Sequence, residues 1–432
     1  MPDISTILFA SLILLLILNV PVSVCLGLSA MIALGYDAMF LDGRVPLTLI
    51  PQKMLTAVDS FPLMAIPFFM VAGVLMEQGG MSRRLIDVAK AFVGAISGGL
   101  SIVTILASML FAAISGSSPA TVAAIGGIMI PAMVKQGYDK SFAAATQASA
   151  GCIGVIIPPS IPMITYGVVT GSSIGALFMA GFIPGLLFGV VLIVIAFVMC
   201  KRRGYAGEAS AVSFGKALKE GIWAILMPVI ILGGIYGGWF TPTEAANVAI
   251  IYSFIVSFFV YKELKLKDIP SILASAATGS ALVMLLIATA TAFGIILTRE
   301  QIPTTMANFF IGITTDPFMF LIMINVMLLI LGTFIETNAA IILVAPILFP
   351  VAMKLGIDPT HFGLVMIVNL AIGMLTPPLG VNLFVACGIS NLKVESILSY
   401  VWKYLFGLIA FLLILTYFPS ISMFLPNLLL GR

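Results

Sequence analysis

Residues 111–133 read FAAISGSSPATVAAIGGIMIPAM, and within them the run SGSSPAT at 115–121 interrupts a stretch that is otherwise apolar from 98 to 134. A run this polar cannot face lipid. Non-helical backbone at membrane depth survives only when it is buried in protein or lines a cavity. The stretch 98–134 therefore reads as a re-entrant hairpin with its tip inside the protein. A second segment of the same kind, 317–354, is interrupted at Glu336, Thr337 and Asn338. Two such hairpins imply one shared cavity.

The rest of the chain agrees with a membrane setting. Of 432 residues, 61% are hydrophobic and 9% charged, and the mean hydropathy is +1.22. Soluble domains carry a charged fraction nearer one quarter. A spanning helix takes about 20 apolar residues, so little sequence is left for a soluble catalytic domain. The balance of 20 Lys and Arg against 17 Asp and Glu is no electrostatic footprint for nucleic acid. Cys25, Cys152, Cys200 and Cys387 are far apart and the chain has one histidine, which indicates neither a disulfide framework nor a zinc site. The N-terminal MPDIST lacks the basic start of a secretory signal, so the first helix is expected to be retained.

Apolar runs bounded by charges or Gly/Pro clusters predict an all-α polytopic fold with spans at about 5–20, 22–36, 62–79, 141–171, 176–201, 222–239, 243–261, 272–298, 361–390 and 400–428. The stretch 45–60, with two prolines, Gln52, Lys53 and Asp59, reads as an interfacial helix. On this layout one side of the membrane holds Arg83, Arg84, Lys90, Lys135, Lys140, Lys201, Arg202, Arg203, Lys216, Lys219, Lys262, Lys265, Lys267, Lys393 and Lys403. The other holds Arg44, Lys53, Arg299, Lys354 and Arg432. The first side is therefore expected to be cytoplasmic, with both termini outside.

The halves also correspond to each other. Adding 221 takes Pro21 to Pro242 and Gly73 to Gly294. Adding 219 takes Pro131 to Pro350, Gly137 to Gly356, Asp139 to Asp358, Gly154 to Gly373, and Pro158-Pro159 to Pro377-Pro378. The same offset sets Ser117, Ser118 and Pro119 on Glu336, Thr337 and Asn338. This organises the chain as a first repeat, 1–203, with hairpin 98–134 and broken helix 141–171, a linker at 204–221, and a second repeat, 222–432, with hairpin 317–354 and broken helix 361–390. Five spans per half make the second repeat inverted, and inverted repeats with broken helices meeting at the midplane mark secondary transporters.

Four strings carry a family resemblance: FAAISGSSPATVAAIGGIMIPAM (111–133), GYDKSFAAATQASAGCIGVIIPPSIPMITYG (137–167), GGIYGGWFTPTEAANVA (233–249) and MLTPPLGVNLFV (374–385). The chain resembles the large membrane subunit of tripartite ATP-independent periplasmic (TRAP) transporters along essentially its whole length. The resemblance implies an elevator-type, sodium-coupled importer of organic anions in the bacterial inner membrane. It also implies two partners, a small four-helix membrane subunit and a periplasmic substrate-binding protein. No small subunit is fused here, so that partner is expected as a separate chain. Carboxylates such as a sialic acid or a C4-dicarboxylate are the substrates the resemblance suggests.

The residues themselves support part of this picture. A hairpin tip presents orphan backbone groups, carbonyl ends suiting a cation and amide ends a carboxylate. The proline breaks at 157–160 and 376–380 remove backbone donors and free the carbonyls upstream. By the resemblance, the tip and break of one repeat together hold an ion. The first sodium site then comprises Ser115, Gly116, Ser117 and Ser118 with Ile157, Pro158 and Ser160. The second comprises Gly332, Glu336, Thr337 and Asn338 with Thr376, Pro377 and Gly380. Ser118, Thr121, Asn338 and Asn382 are expected to face the substrate. Ser118 equally fits a plain helix cap with Pro119 at the first helical position, and Glu336 fits either a cap or a cavity carboxylate. Thr241, Pro242, Thr243 and Glu244 have capping-box spacing. The GGIYGG run at 233–238 permits close helix approach, seating the small subunit or packing internally. Asn369 adds a buried amide able to face the cavity, and His361 is expected at a helix end near the outer surface.

No GxxxxGKS/T pattern occurs, so an ion gradient is the remaining energy supply. A proton relay needs a chain of Asp, Glu or His within the spans, and Glu336 stands nearly alone, which favours sodium. Two rivals differ in kind: a stand-alone sodium- or proton-coupled anion symporter or antiporter, and an intramembrane enzyme, for which one histidine and scattered carboxylates are a poor endowment. The charge count carries its own test. A single cysteine in the 204–221 loop, in a background lacking the native four, should be protected from impermeant thiol reagents in intact cells, while one at residue 358 should label; the opposite pattern reverses the orientation.

Overall fold

The computed structural model describes residues 3–18, 20–40, 46–207 and 213–431, so Arg44, Val45, Arg432 and part of the 204–221 linker lie outside the described residues. The first half holds α1 (Ile4–Ile17), α2 (Val22–Phe40), α3 (Leu49–Val58), α4 (Ala65–Gln78), α5 (Met81–Val93), α6 (Gly99–Ser115), α7 (Ser118–Lys135), α8 (Lys140–Gly151), α9 (Ile161–Thr170) and α10 (Ile174–Arg203). The second holds α11 (Phe214–Tyr236), α12 (Pro242–Ile255), α13 (Ile269–Arg299), α14 (Ile302–Ile313), α15 (Pro317–Phe334), α16 (Thr337–Lys354), α17 (Pro359–Gly373), α18 (Val381–Ser390), α19 (Val394–Tyr417) and α20 (Pro419–Leu430). Adding 219 to the limits of α7 gives 337 and 354, the limits of α16.

Local chemistry explains where these helices begin. Asp139, Ser160, Ser173, Asp316, Glu336 and Asp358 each cap a helix by accepting backbone N–H groups of its first turn. Thr241 and Glu244 form a reciprocal capping box on α12, with Thr241 N donating to Glu244 Oε2 at 2.8 Å and Glu244 N donating to Thr241 Oγ1 at 3.3 Å. Both predicted breaks are present. A 3-10 turn at Cys152–Val155 and non-helical backbone separate α8 from α9, and residues 374–380 separate α17 from α18. The peptide bonds Pro158-Pro159 and Pro377-Pro378 are both cis.

Among the described residues ten helical segments are long and apolar enough to cross a membrane. They are not the ten spans read from sequence. They include α7, α15 and α16, which are hairpin arms, and they omit α1 and the two broken helices, whose pieces are short. Helices α5 and α14 have no counterpart in the sequence reading. At 13 residues, with Arg83, Arg84, Asp87 and Lys90 among them, α5 is too short and too charged to span a membrane, yet Leu85, Ile86, Ala89 and Val93 bury one of its faces. The 400–428 span is two helices, because Pro419 has no N–H to donate and disfavours helical backbone at Phe418. Helix α11 starts at Phe214, inside the stretch read as linker. The GGIYGG run ends α11: Gly238 has φ +72° and the Phe240 ring sits where a Cβ on Gly234 would be.

The helices pack in two groups. Helices α1, α2, α4, α12 and α13 lie against one another, with α5 bridging α11 to α6. A second group gathers α6 to α9 and α15 to α19, with α7 on α8 and α18, α16 on α9 and α17, and α15 on α17. The second hairpin meets its broken helix through glycine. A Cβ on Gly373 would lie 2.6 Å from Gly332 Cα, so the two backbones touch. Gly373→Ala is expected to force α15 from α17 and destabilise the protein by about 1–3 kcal/mol, read as a lowered melting temperature in detergent; Gly127→Ala, where a Cβ meets nothing within 4 Å, is the matched control.

Candidate functional site

Each hairpin tip is stitched to its own helix break by a backbone hydrogen bond. Ile161 N donates to Gly116 O at 3.2 Å, and Gly380 N donates to Thr333 O at 3.1 Å. Gly116 is required at the first tip: its φ is +61°, and a Cβ there would lie 2.8 Å from Pro159 O. The residues assigned to each ion site are thereby neighbours, as tip and break.

At the first tip, Ser115 and Thr121 hydroxyls lie 3.0 Å apart, and Thr121 Oγ1 donates to Ser117 O at 2.8 Å. Ser160 Oγ donates to Val155 O at 2.7 Å and caps α9. The cap of α7 is Ser117, not Ser118, and Ser117 makes no side-chain capping bond. Ser118 is the first residue of α7 and fully buried. Its hydroxyl donates to Asn382 Oδ1 at 2.9 Å and accepts from Asn382 Nδ2 at 2.8 Å, while the same nitrogen donates to Ala148 O at 3.2 Å. Two of the four residues expected to face substrate thus bond each other.

The second tip is built differently. Glu336 caps α16, accepting from Asn338 N at 2.9 Å and Ala339 N at 3.4 Å, and Asn338 Nδ2 donates to Glu336 Oε1 at 2.9 Å. Thr165 of α9 donates to Asn338 Oδ1 at 3.1 Å. Thr337 Oγ1 meets Met374 Sδ at 3.4 Å, and Thr376 Oγ1 donates back to Ile372 O at 2.9 Å. Gly380 leaves room where a Cβ would lie 3.0 Å from both Met374 O and Thr376 O.

Ser118 with Asn382, and Asn338 with Thr165, join a tip of one half to a helix of the other. Sequence reasoning missed Thr165, Ala148 O and Gln147, whose Nε2 donates to Thr121 O at 3.1 Å. The available signal was the cluster of small and polar residues in Thr146, Gln147 and Ser149 of α8 and the hydroxyl of Thr165 in α9; a backbone carbonyl such as Ala148 O has none. Two expectations are corrected. His361 lies in the first turn of α17, at a helix end as expected, but its ring is covered rather than exposed: it is 2% exposed, and Nδ1 lies 2.7 Å from Ser422 Oγ of α20 and Nε2 3.1 Å from Thr416 O of α19. Asn369 bonds Asn325 in α15 rather than a cavity. No group of three or more His, Cys, Asp or Glu that could hold a metal ion occurs among the described residues.

Comparison with known proteins follows the same lines. Residues 9–421 match the family model for the tripartite ATP-independent periplasmic transporter, DctM component. The chain is 49% identical to the isethionate TRAP transporter permease protein DctMQ of Oleidesulfovibrio alaskensis, over 97% of this chain and 66% of that protein. It is 41% identical to the C4-dicarboxylate TRAP transporter large permease protein DctM of Rhodobacter capsulatus, over 98% and 99% of the two chains. It is 42% identical to the sialic acid TRAP transporter large permease protein SiaM of Vibrio cholerae, over 88% and 90%. Among solved structures, the YdaH transporter of Alcanivorax borkumensis superposes with TM-score 0.60 at 15% identity, covering 86% of this chain and 87% of that one. MtrF of Neisseria gonorrhoeae gives 0.58 at 13% identity, covering 96% and 95%. These two share the fold.

The Ser118–Asn382 pair is testable on the purified chain. Ser118→Ala and Asn382→Ala should each destabilise by about 1–3 kcal/mol, since each strands a buried polar partner. The double variant should cost clearly less than the two single effects added. Full additivity in thermal unfolding would mean the two side chains do not share the interaction.

Proposed function

The chain belongs to the tripartite ATP-independent periplasmic transporter DctM component family, and on that premise we propose that it imports an organic anion by sodium-coupled secondary transport, the helix group that carries tips and breaks moving against the rest. As a family member it is a multi-pass inner-membrane protein and a transport component, not an enzyme. The substrates named for its relatives, isethionate, C4-dicarboxylates and sialic acid, are all organic acids, and a sulfonate or carboxylate is the substrate class proposed. The partners are a small membrane subunit and a periplasmic binding protein that delivers the anion.

One observation carries the reading: two hairpin tips, each bonded to a proline break and each cross-bonded to the other half. Such a device holds irregular backbone at depth in a protein whose two halves meet at one place. At the first tip Ser115 Oγ, Ser117 O and Thr121 Oγ1 gather oxygens without a formal charge, which suits sodium better than a proton relay. Each sodium ion entering with the potential contributes about 2.3 kcal/mol per 100 mV, so two ions suffice to concentrate an anion strongly. The repeats are proposed to run inverted, with both termini outside, the first hairpin entering from the cytoplasm and the second from the periplasm. Glu336 favours a second reading, proton coupling, because it is the one carboxylate at a tip.

Reconstitution separates these. Liposomes bearing the chain, the small subunit and loaded binding protein are expected to take up anion only with an inward sodium gradient; strong uptake by the chain alone would point to a stand-alone symporter. Ser115→Ala and Asn338→Ala should each raise the sodium concentration for half-maximal uptake by about tenfold, the scale of one lost charge-assisted bond. Glu336→Gln should keep sodium-driven uptake. Uptake driven by a pH gradient in sodium-free medium and lost in Glu336→Gln would overturn the sodium assignment.

A further inference from the structure

Away from the tips, two cations distant in sequence line one cavity. Lys53 of α3 and Arg299, the last residue of α13, border a space of about 680 Å³ together with Thr291 and Thr298 of α13, Val168 of α9 and Ile342 of α16. By the charge count only five Lys and Arg fall on that side of the membrane, and two of them meet here. Among the described residues neither enters an ion pair. Asp59 and Glu300, their nearest carboxylates in sequence, do not line the cavity. A cation ending a helix is favoured by the carbonyl end alone, which accounts for Arg299; it does not account for a second cation, from a separate helix, at the same opening.

The cavity also has a direction. Along α9, Val168 lies three residues beyond Thr165, and along α16, Ile342 lies four beyond Asn338. Thr165 and Asn338 are the hydrogen-bonded pair at the second tip. With a rise of about 1.5 Å per residue, the cavity wall begins roughly 4.5–6 Å along the helices from that pair. Its walls come from both helix groups, α13 with α3 packed on it on one side and α9 and α16 on the other. A guanidinium offers parallel donors to a carboxylate or sulfonate, and an ammonium adds a point charge. Exposed cations at a cleft mouth raise the local concentration of an anion and orient it.

We infer that Lys53 and Arg299 form a staging site that receives the carboxylate or sulfonate of the transported anion just outside the second hairpin tip. The site rests on the transport reading above and adds to it the residues that meet the anion before the tip does.

A cysteine in the cavity tests this apart from transport. The four native cysteines are buried, so Thr291→Cys in the full purified chain supplies the reporting thiol and Asn308→Cys, at an exposed position, the reference. Relative to that reference, Cys at 291 should react about tenfold faster with the anionic sulfonatoethyl methanethiosulfonate than with its trimethylammonium counterpart. Lys53→Gln with Arg299→Gln should abolish the preference, while Lys53→Arg with Arg299→Lys should keep it. Isethionate or succinate should slow labelling by a neutral maleimide only where the cations remain. In proteoliposomes the neutral double variant should raise the anion concentration for half-maximal uptake about tenfold and leave the sodium requirement unchanged. Equal rates for the two reagents, or a preference that survives neutralisation, would sink the proposal. So would a double variant whose sole defect is weaker capture of the binding protein, which would assign the cations to protein docking. A charge preference at 291 without sodium-driven uptake in the parent would instead overturn the transport reading and leave the anion site standing.

Discussion

Backbone polar groups that leave a helix inside a membrane have no water to turn to, and the structure is organised around meeting that demand. Here each interruption is answered by another. The first tip lends Gly116 O to Ile161 N at the first break, and Gly380 N at the second break reaches Thr333 O beside the second tip. Tip and break of each half are thereby held together. Glycine makes the approach possible: Gly116 takes a left-handed turn against Pro159 O, and Gly332 crosses Gly373 with no side chain between them.

The two units use the same plan with different chemistry. The first tip collects hydroxyl and carbonyl oxygens, while the second is capped by a carboxylate that satisfies Asn338 N and Ala339 N. Polar pairs then tie each tip to the opposite half, Ser118 to Asn382 and Asn338 to Thr165. Buried pairs of this kind have a definite consequence for a moving protein. Their polar atoms are costly to leave unmatched, so any movement that opens one of them needs a replacement ligand. On the proposed transport reading, an ion or an anionic substrate would be that replacement.

Peripheral features serve that centre. Helix α5 carries its charges on one face and its apolar residues on the other, and its apolar face links α11 to the first hairpin. Arg84 at its start stacks over the Tyr261 ring at 3.7 Å and pairs with Glu263 at 3.1 Å. Helix α20 turns back on α10 and α17 and seals His361 from solvent. The sole histidine is thereby a packing element with both ring nitrogens engaged.

Much of this was legible in the chain itself. Polar residues and proline pairs inside apolar runs are local, strong signals, and they marked both hairpins, both breaks and the capping box at Thr241 without any tertiary knowledge. Family membership was equally legible, since it lies in ordered strings such as 137–167. The failures share a physical cause. Helices α5 and α14 were overlooked because a span search averages hydropathy and discards amphipathic faces, and α19 and α20 were merged because an apolar window does not register one proline. The cap of α7 fell on Ser117 instead of Ser118 because the left-handed turn at Gly116 sets where helical dihedrals begin. Which buried polar groups meet was not legible at all: Ser118 and Asn382 are 264 residues apart, and Lys53 and Arg299 share a cavity only because α3 and α13 pack together. Sequence by itself determined where the chain must break, because backbone donors are lost at prolines and polar residues cannot face lipid. Only the tertiary structure decided what each break would bond to, because that choice depends on which helices the packing of the core brings side by side.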